Sequence, residues 1–420
     1  MVANEFLDYI RTFSATNFVG VEDLADKANF QWNVIVLLLS MILVTMKQYF
    51  MSPLVCYIPN SPTGNGIENY ITNMCWAEGT YAWDQGDLSL LYDETKFDDA
   101  KLIKLSYYQW VPLILGLQAI LFYLPRIIWS IYVYNRTGLD LEGLIKMANL
   151  AYREPDENRL KSVLHIARNL ELLLFSRRGL KNYNPRRFRD RLPSKRHGNN
   201  LIFYYILVKL IYVLIGILEL VTMHYFLQFN KYSGYYLFGI QLLADLIGGR
   251  KWPVTNIFPR IGVCMHSVQN VGAVNYIFAQ CVLPINMLNE KVYIFLFIFQ
   301  TLVLMLTVCS IPLWIFRMIP GKGQRSFIKR YLKIADTYEK GNSRQKKMIN
   351  AFIESFLRSD GSFLLRMLSM NAGDLITVEI VCCLYQRYNL NSIKKDFRGT
   401  TIKLKLEQPK PNYKFISIKI

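Results

Sequence analysis

Trp32–Phe50 reads WNVIVLLLSMILVTMKQYF, and its centre, Val34 to Met46, contains no charged residue. A helix needs roughly 20 consecutive apolar residues to cross the hydrocarbon core of a bilayer, which is the length of this stretch. Three more runs of the same kind follow, Val111–Val133, Leu201–Phe229 and Val292–Phe316. Inside hydrocarbon only a helix pairs its own backbone donors and acceptors, so each run predicts a membrane-spanning helix. Trp32, Tyr49, Trp110, Trp129, Tyr225 and Trp314 lie near the ends of the runs, where aromatic belts sit. Core helices of soluble proteins seldom reach this length four times in one chain. The fold class is therefore an all-α membrane protein, with spans at 32–50, 108–133, 201–229 and 292–316.

The whole chain fits this reading. Of 420 residues, 52% are hydrophobic and only 19% charged, which excludes a disordered or collagen-like polymer. Charge also gives the spans a direction. Residues 134–200 hold 15 Lys or Arg against 7 Asp or Glu, and residues 317–420 hold 21 against 8. By the positive-inside rule both segments belong in the cytosol. Residues 51–107, with 3 basic and 8 acidic groups, and 230–291, with 5 and 2, then form two outer loops. Four crossings put both termini in the cytosol. No cleavable signal precedes the first run, which would act as an uncleaved anchor.

Seven cysteines follow the same division. Cys56 and Cys75 fall in the first outer loop and Cys264 and Cys281 in the second, while Cys309 is inside a span and Cys382 and Cys383 are on the reducing side. Two and two on the oxidising side is what a pair of disulfides requires, and four cysteines leave three connectivities open.

At the mouth of the second span stands Tyr107-Tyr108-Gln109-Trp110-Val111-Pro112. Lys47-Gln48-Tyr49, Pro53, Cys56 and Pro59 follow the first span, then Cys75-Trp76. In the second loop Phe258-Pro259-Arg260 precedes Cys264, and Gln280-Cys281-Val282-Leu283-Pro284-Ile285-Asn286 leads through Asn289-Glu290-Lys291 into the fourth span. In these motifs and their order the chain resembles the innexins, the invertebrate gap-junction proteins. Ala77-Glu78-Gly79 and Met265-His266-Ser267 depart from the family's pattern. Connexins share the layout but use three cysteines per loop, and claudins place their pair in the first loop only.

The resemblance implies a channel subunit with disulfide-linked extracellular loops and a helical cytosolic region. It also implies a homo- or hetero-oligomeric ring of six or eight subunits at the plasma membrane, docked onto a ring in the neighbouring cell at a gap junction and passing ions and small metabolites. The pairs it suggests are Cys56 with Cys281 and Cys75 with Cys264. The alternative is an undocked, pannexin-like channel that opens to the outside.

Residues 1–31 hold a short amphipathic pattern, with Phe6, Ile10 and Phe13 at helical spacing and Glu5, Asp8 and Arg11 on other sectors. The resemblance places this helix in the pore entrance as a funnel; by itself it would equally suit a membrane surface. Glu68, Glu78, Asp84 and Asp87 make the first outer loop negative, which would enrich cations near the pore. Within the spans Lys47, Arg126, Lys209 and Glu219 need explaining. The three cations are expected to snorkel to the nearer interface, and Glu219 to face another helix or water. Pro112 fits a first helical turn, whereas Pro125 removes an internal hydrogen bond and is a gating-kink candidate.

Residues 177–196 contain nine basic groups and one acid beside the membrane's cytosolic face, which suits membrane lipids and topology enforcement rather than nucleic acid. Apolar positions recur helically at Leu160, Val163, Leu164, Ala167 and Leu170, and again at Phe352, Phe356, Leu364, Leu365 and Leu368, predicting a helical cytosolic collar. Leu375–Leu384 is too short for a span and too apolar for a lone surface helix. The stretch from about Glu407 is Lys- and Pro-rich. No enzyme is expected: His165, His197, His224 and His266 are scattered, with no HExxH, GxSxG or P-loop, and no cofactor is called for.

Overall fold

The structure, a computed structural model, describes residues 22–58, 65–82, 103–137, 141–175, 199–226, 248, 258–270, 272–318, 322–338 and 343–397. The funnel candidates Glu5, Phe6, Asp8, Ile10, Arg11 and Phe13 lie outside the described residues, as do Asp84, Asp87, the basic cluster at 177–196 and the stretch from Glu407. In chain order the elements are α1 (Leu24–Tyr49), β1 (Val55–Tyr57), α2 (Asn65–Glu78), β2 (Thr80–Ala82), β3 (Ile103–Leu105) and α3 (Val111–Thr137). Next come α4 (Leu141–Ala151), α5 (Asp156–Phe175), α6 (Asn200–Phe226), β4 (Ile261–Asn270), β5 (Ala273–Val282) and α7 (Pro284–Met318). The chain continues with α8 (Lys322–Ile334), α9 (Ser343–Ala351), α10 (Arg358–Ala372) and α11 (Asp374–Phe397). They fall into two compact units, Met1–Gly138 with Asn200–Met318, and Leu139–Asn199 with Ile319–Ile420.

The first unit contains the four helices long and apolar enough to cross a bilayer, α1, α3, α6 and α7. Two of them begin well before their apolar runs, because helix starts are set by caps and backbone chemistry and not by hydropathy. At α1 the Asp26 N–H donates to Asp23 Oδ1 at 2.9 Å and the Asp23 N–H to Asp26 Oδ2 at 3.3 Å, a reciprocal capping box that starts the helix at Leu24. At α7 the first residue is Pro284, whose missing N–H costs nothing in a first turn. Residues 28–33 of α1 wind as a π-helical turn. Small residues let the spans approach closely: a Cβ on Gly116 of α3 would lie 3.3 Å from Met41 Sδ, and one on Gly216 of α6 would lie 3.0 Å from Leu304 Cδ1 of α7. Leu39, Leu117, Leu214 and Met305 point outward, a surface suited to lipid or to further membrane helices rather than water.

Helices are not the whole of this unit. Residues from both inter-span segments build one antiparallel five-stranded sheet, in the order β1-β5-β4-β2-β3. The sequence reading contains no strand here: β1, β2 and β3 are too short to show a period of two, and the ten residues of β4 and of β5 do not alternate cleanly between apolar and polar. The β4–β5 hairpin turns at Gly272, whose φ of 89° suits glycine.

The second unit is all helical among the described residues. Its core takes Ile145 and Ala148 of α4, Val163, Ile166, Ala167 and Leu170 of α5, Ile328 and Leu332 of α8, and Leu364, Leu365 and Leu368 of α10. Leu164 faces outward, with Ile166 buried in its stead. The Leu375–Leu384 puzzle is resolved by burial, as Ile376, Ile380, Val381 and Leu384 of α11 sit inside this core. Arg159 pairs with Glu379, and Arg387 Nε lies 2.5 Å from Glu171 Oε2, so α5 is tied to α11 by two charge-assisted bonds. Burial pushes the Cys382 and Cys383 thiols up, keeping them protonated and poorly reactive.

Candidate functional site

The sheet is held by two sulfur bridges that join one inter-span segment to the other. Cys56 of β1 is bonded to Cys281 of β5, its directly opposite partner in the ladder, across 225 residues of sequence. Cys75, on the last turn of α2, is bonded to Cys264 of β4 across 189 residues. Around them Leu54, Ile58, Ile71 and Ala279 form a small buried core. Cys56, Cys75 and Cys281 sulfurs lie within 4.8 Å of one another, but bridged sulfur lacks the thiolate that binds a metal. Two glycines serve this packing. Gly79 links α2 to β2 with φ 96°, and a Cβ there would meet Leu105 O at 2.9 Å; one on Gly262 would press on Leu283 and Thr80 at 3.1 and 3.3 Å.

The signature residues are the joints between this sheet and the spans. Tyr107–Gln109 form a 3-10 turn closed by Trp110 N–H donating to Tyr107 O at 3.0 Å, and Val111 and Pro112 begin α3. Gln48 Nε2 at the end of α1 donates to Tyr108 O at 2.5 Å, and Gln109 Nε2 donates to Trp76 O beside Cys75. Tyr108 stacks on Trp76 at 4.9 Å and Tyr107 meets Phe258 edge-on at 6.1 Å. On the other side Ile285 N–H donates to Pro53 O at 3.2 Å, and Asn286 Nδ2 to Pro259 O at 3.0 Å. Polar side chains thus satisfy the backbone where strands give way to helices. His266 Nδ1 lies 3.3 Å from Glu78 Oε2, linking the two segments that depart from the family pattern.

A second cluster sits at the start of α1 and corrects one expectation. Lys209 does not snorkel: its side chain is 0% exposed, and Nζ lies 2.9 Å from both Asp23 Oδ2 and Asp26 Oδ1. Ser310 Oγ and Trp314 Nε1 of α7 donate to the same Asp23 oxygen at 2.8 and 2.6 Å, and Tyr205 OH donates to Asp26 Oδ2 at 2.6 Å. A buried ammonium needs this many acidic partners, and they lie in a segment that hydropathy left outside the span. The one sequence signal for them was the Asp23-x-x-Asp26 cap spacing. Nearby, Arg126 is 3.4 Å from Glu22 and its guanidinium covers the Phe30 ring at 4.4 Å. Glu219 receives Gln300 Nε2 at 3.5 Å, so it faces α7. Pro125 lies inside α3 as expected.

The family described as Innexin matches residues 22–388. Among curated proteins the chain is 32% identical to Innexin unc-9 of Caenorhabditis elegans, over 87% of this chain and 92% of that one. It is 31% identical to Innexin-5 of the same organism, over 93% and 85%, and 29% identical to Innexin-11, over 91% and 82%. A family match across most of the chain, four apolar helices and a sheet tied by two sulfur bridges agree, and the chain belongs to the innexin family.

Proposed function

We propose that this chain is a structural subunit of a gap junction, an oligomeric large-pore channel that passes ions and small metabolites between adjacent cells. The observation that carries the reading is the sheet built jointly by the two outer loops and tied by Cys56–Cys281 and Cys75–Cys264. Docking two rings favours loops that are ordered before they meet, because ordering them on contact would subtract from affinity. In this reading the loops face outward, both termini are cytosolic, and the ring of six or eight like subunits docks with a ring in the neighbouring cell. The pore walls select by width and charge. Transport of this kind needs no catalytic group or cofactor, and the chain is read as a channel and not an enzyme. Pro125 is a candidate bend for gating, and the basic residues 177–196 serve to fix the topology or to attract anionic membrane lipid.

Junctional conductance between paired cells tests the reading. Coupling that appears only when both cells express the chain, or the chain with a like subunit, is the expected result; dye uptake by single cells without any junctional current would favour the undocked alternative. Residues 2–13 are assigned to the pore funnel, so their deletion should change unitary conductance or gating in single-channel records. Unchanged currents would remove that assignment.

A further inference from the structure

α8 carries five Lys or Arg and no Asp or Glu in its thirteen residues, KGQRSFIKRYLKI. One side, Ile328, Tyr331 and Leu332, is buried in the core of its unit. On the other, Ser326, Arg330, Lys333 and Ile334 are exposed and Lys329 is half-buried. At 3.6 residues per turn Lys329, Lys333, Ser326 and Arg330 share one sector roughly 100° wide, with the exposed apolar Ile334 at its margin. Arg325 is paired with Glu354, whereas among the described residues Lys329, Arg330 and Lys333 have no carboxylate within ion-pair distance. Arg330 feels Asp374, but that carboxylate already accepts hydrogen bonds from Ser369 at 2.6 Å and Tyr331 at 2.5 Å. An exposed cluster of basic side chains without carboxylate partners is attracted to an anionic lipid surface.

Chain connectivity supplies the second argument. Only residues 319–321 separate the end of α7 from the start of α8. Four peptide steps reach at most about 14 Å. The surface potential of anionic lipid persists over about 8–10 Å. The first residue of α8 is therefore tethered within about 14 Å of the last residue of α7, a distance comparable to that range, and a tether this short favours lipid over an acidic partner drawn from solution.

We propose that the exposed face of α8, built from Lys329, Arg330, Lys333 and Ile334, binds anionic phospholipid headgroups of the cytosolic leaflet. This rests on the reading that α7 ends in the cytosol. The test is native mass spectrometry of the full-length channel in neutral detergent, titrated with phosphatidylserine or phosphatidylcholine. Each basic residue near an anionic surface contributes about fivefold in binding. The variant Lys329→Gln/Arg330→Gln/Lys333→Gln should therefore lose phosphatidylserine occupancy tenfold or more while phosphatidylcholine adducts stay unchanged. Lys329→Arg/Lys333→Arg should retain it. The same spectrum reports whether the variant assembles; if it does not, Lys333→Gln alone should lose about fivefold. Equal phosphatidylserine occupancy in the glutamine variants, or full displacement by inorganic phosphate at the same concentration, would overturn the proposal. Accessibility of a tag at residue 420 on intact cells would instead sink the cytosolic placement while leaving the occupancy measured in detergent untouched.

Discussion

Cys75→Ser abolishes electrical coupling between paired cells while the subunit still reaches the surface. The physical reason lies in the covalent tie this bridge makes between α2 and the second loop. β2 meets β4 at a single residue pair, Tyr81 opposite Val263, and the Cys75–Cys264 bridge is the covalent tie beside it, to which Ile71 in the shared core and the Glu78–His266 contact add non-covalent ones. A disulfide acts mainly by restricting unbound shapes, and losing a native one costs about 2–5 kcal/mol. Once it is gone, the loop surfaces must be ordered at the moment two rings meet, and that cost comes out of docking affinity. The double variant Cys75→Ser/Cys264→Ser separates the missing bridge from the effect of a stray thiol and should behave identically. Junctional conductance in paired cells, with surface biotinylation as the control for delivery, is the measurement. Normal coupling at normal surface level would show that the loops hold their shape without this bond.

Lys209→Met should be as severe, by a different route. The substitution preserves an unbranched apolar stem but deletes the ammonium that lies between Asp23 and Asp26, both largely enclosed by α6 and α7. Breaking a buried ion pair by removing one partner typically costs 3–5 kcal/mol, because the remaining charge is stranded. Here two carboxylates would be left facing each other, and the capping box that starts α1 uses the same two residues. The expected result is little assembled protein and a much lower melting temperature for whatever can be purified in detergent. Neutralising the whole cluster, Asp23→Asn/Asp26→Asn/Lys209→Met, should restore a large part of the yield, since uncharged replacements of a buried pair are often neutral and Asn still caps a helix. If Lys209→Met alone assembles and melts like the natural chain, the cluster is not what fixes the start of α1.

How much of this was legible in the sequence differs from element to element, for physical reasons. Each span is a local property: a run such as Val34–Met46 announces itself because every residue meets the same solvent, and a bilayer requires a fixed length of it. The ends of those helices were not legible from hydropathy. α1 starts at Leu24 because Asp23 caps it, and α7 at Pro284 because proline fits there, both outside the apolar runs. The signature Tyr107–Pro112 could be read as a label, but its work became visible only with Gln48 bonded to Tyr108 and Gln109 to Trp76, contacts between residues far apart in the chain.

By itself, then, the sequence determined the membrane class, the number of apolar spans and the placement of two cysteines in each of two inter-span segments, because hydropathy and residue type are summed along the chain. Only the tertiary structure decided that both loops share one sheet, that Lys209 is enclosed by Asp23 and Asp26 instead of reaching for water, and that the apolar stretch Leu375–Leu384 is core. These depend on which distant residues meet. A buried ammonium or a three-residue strand carries no signal of its partner until folding brings the two together.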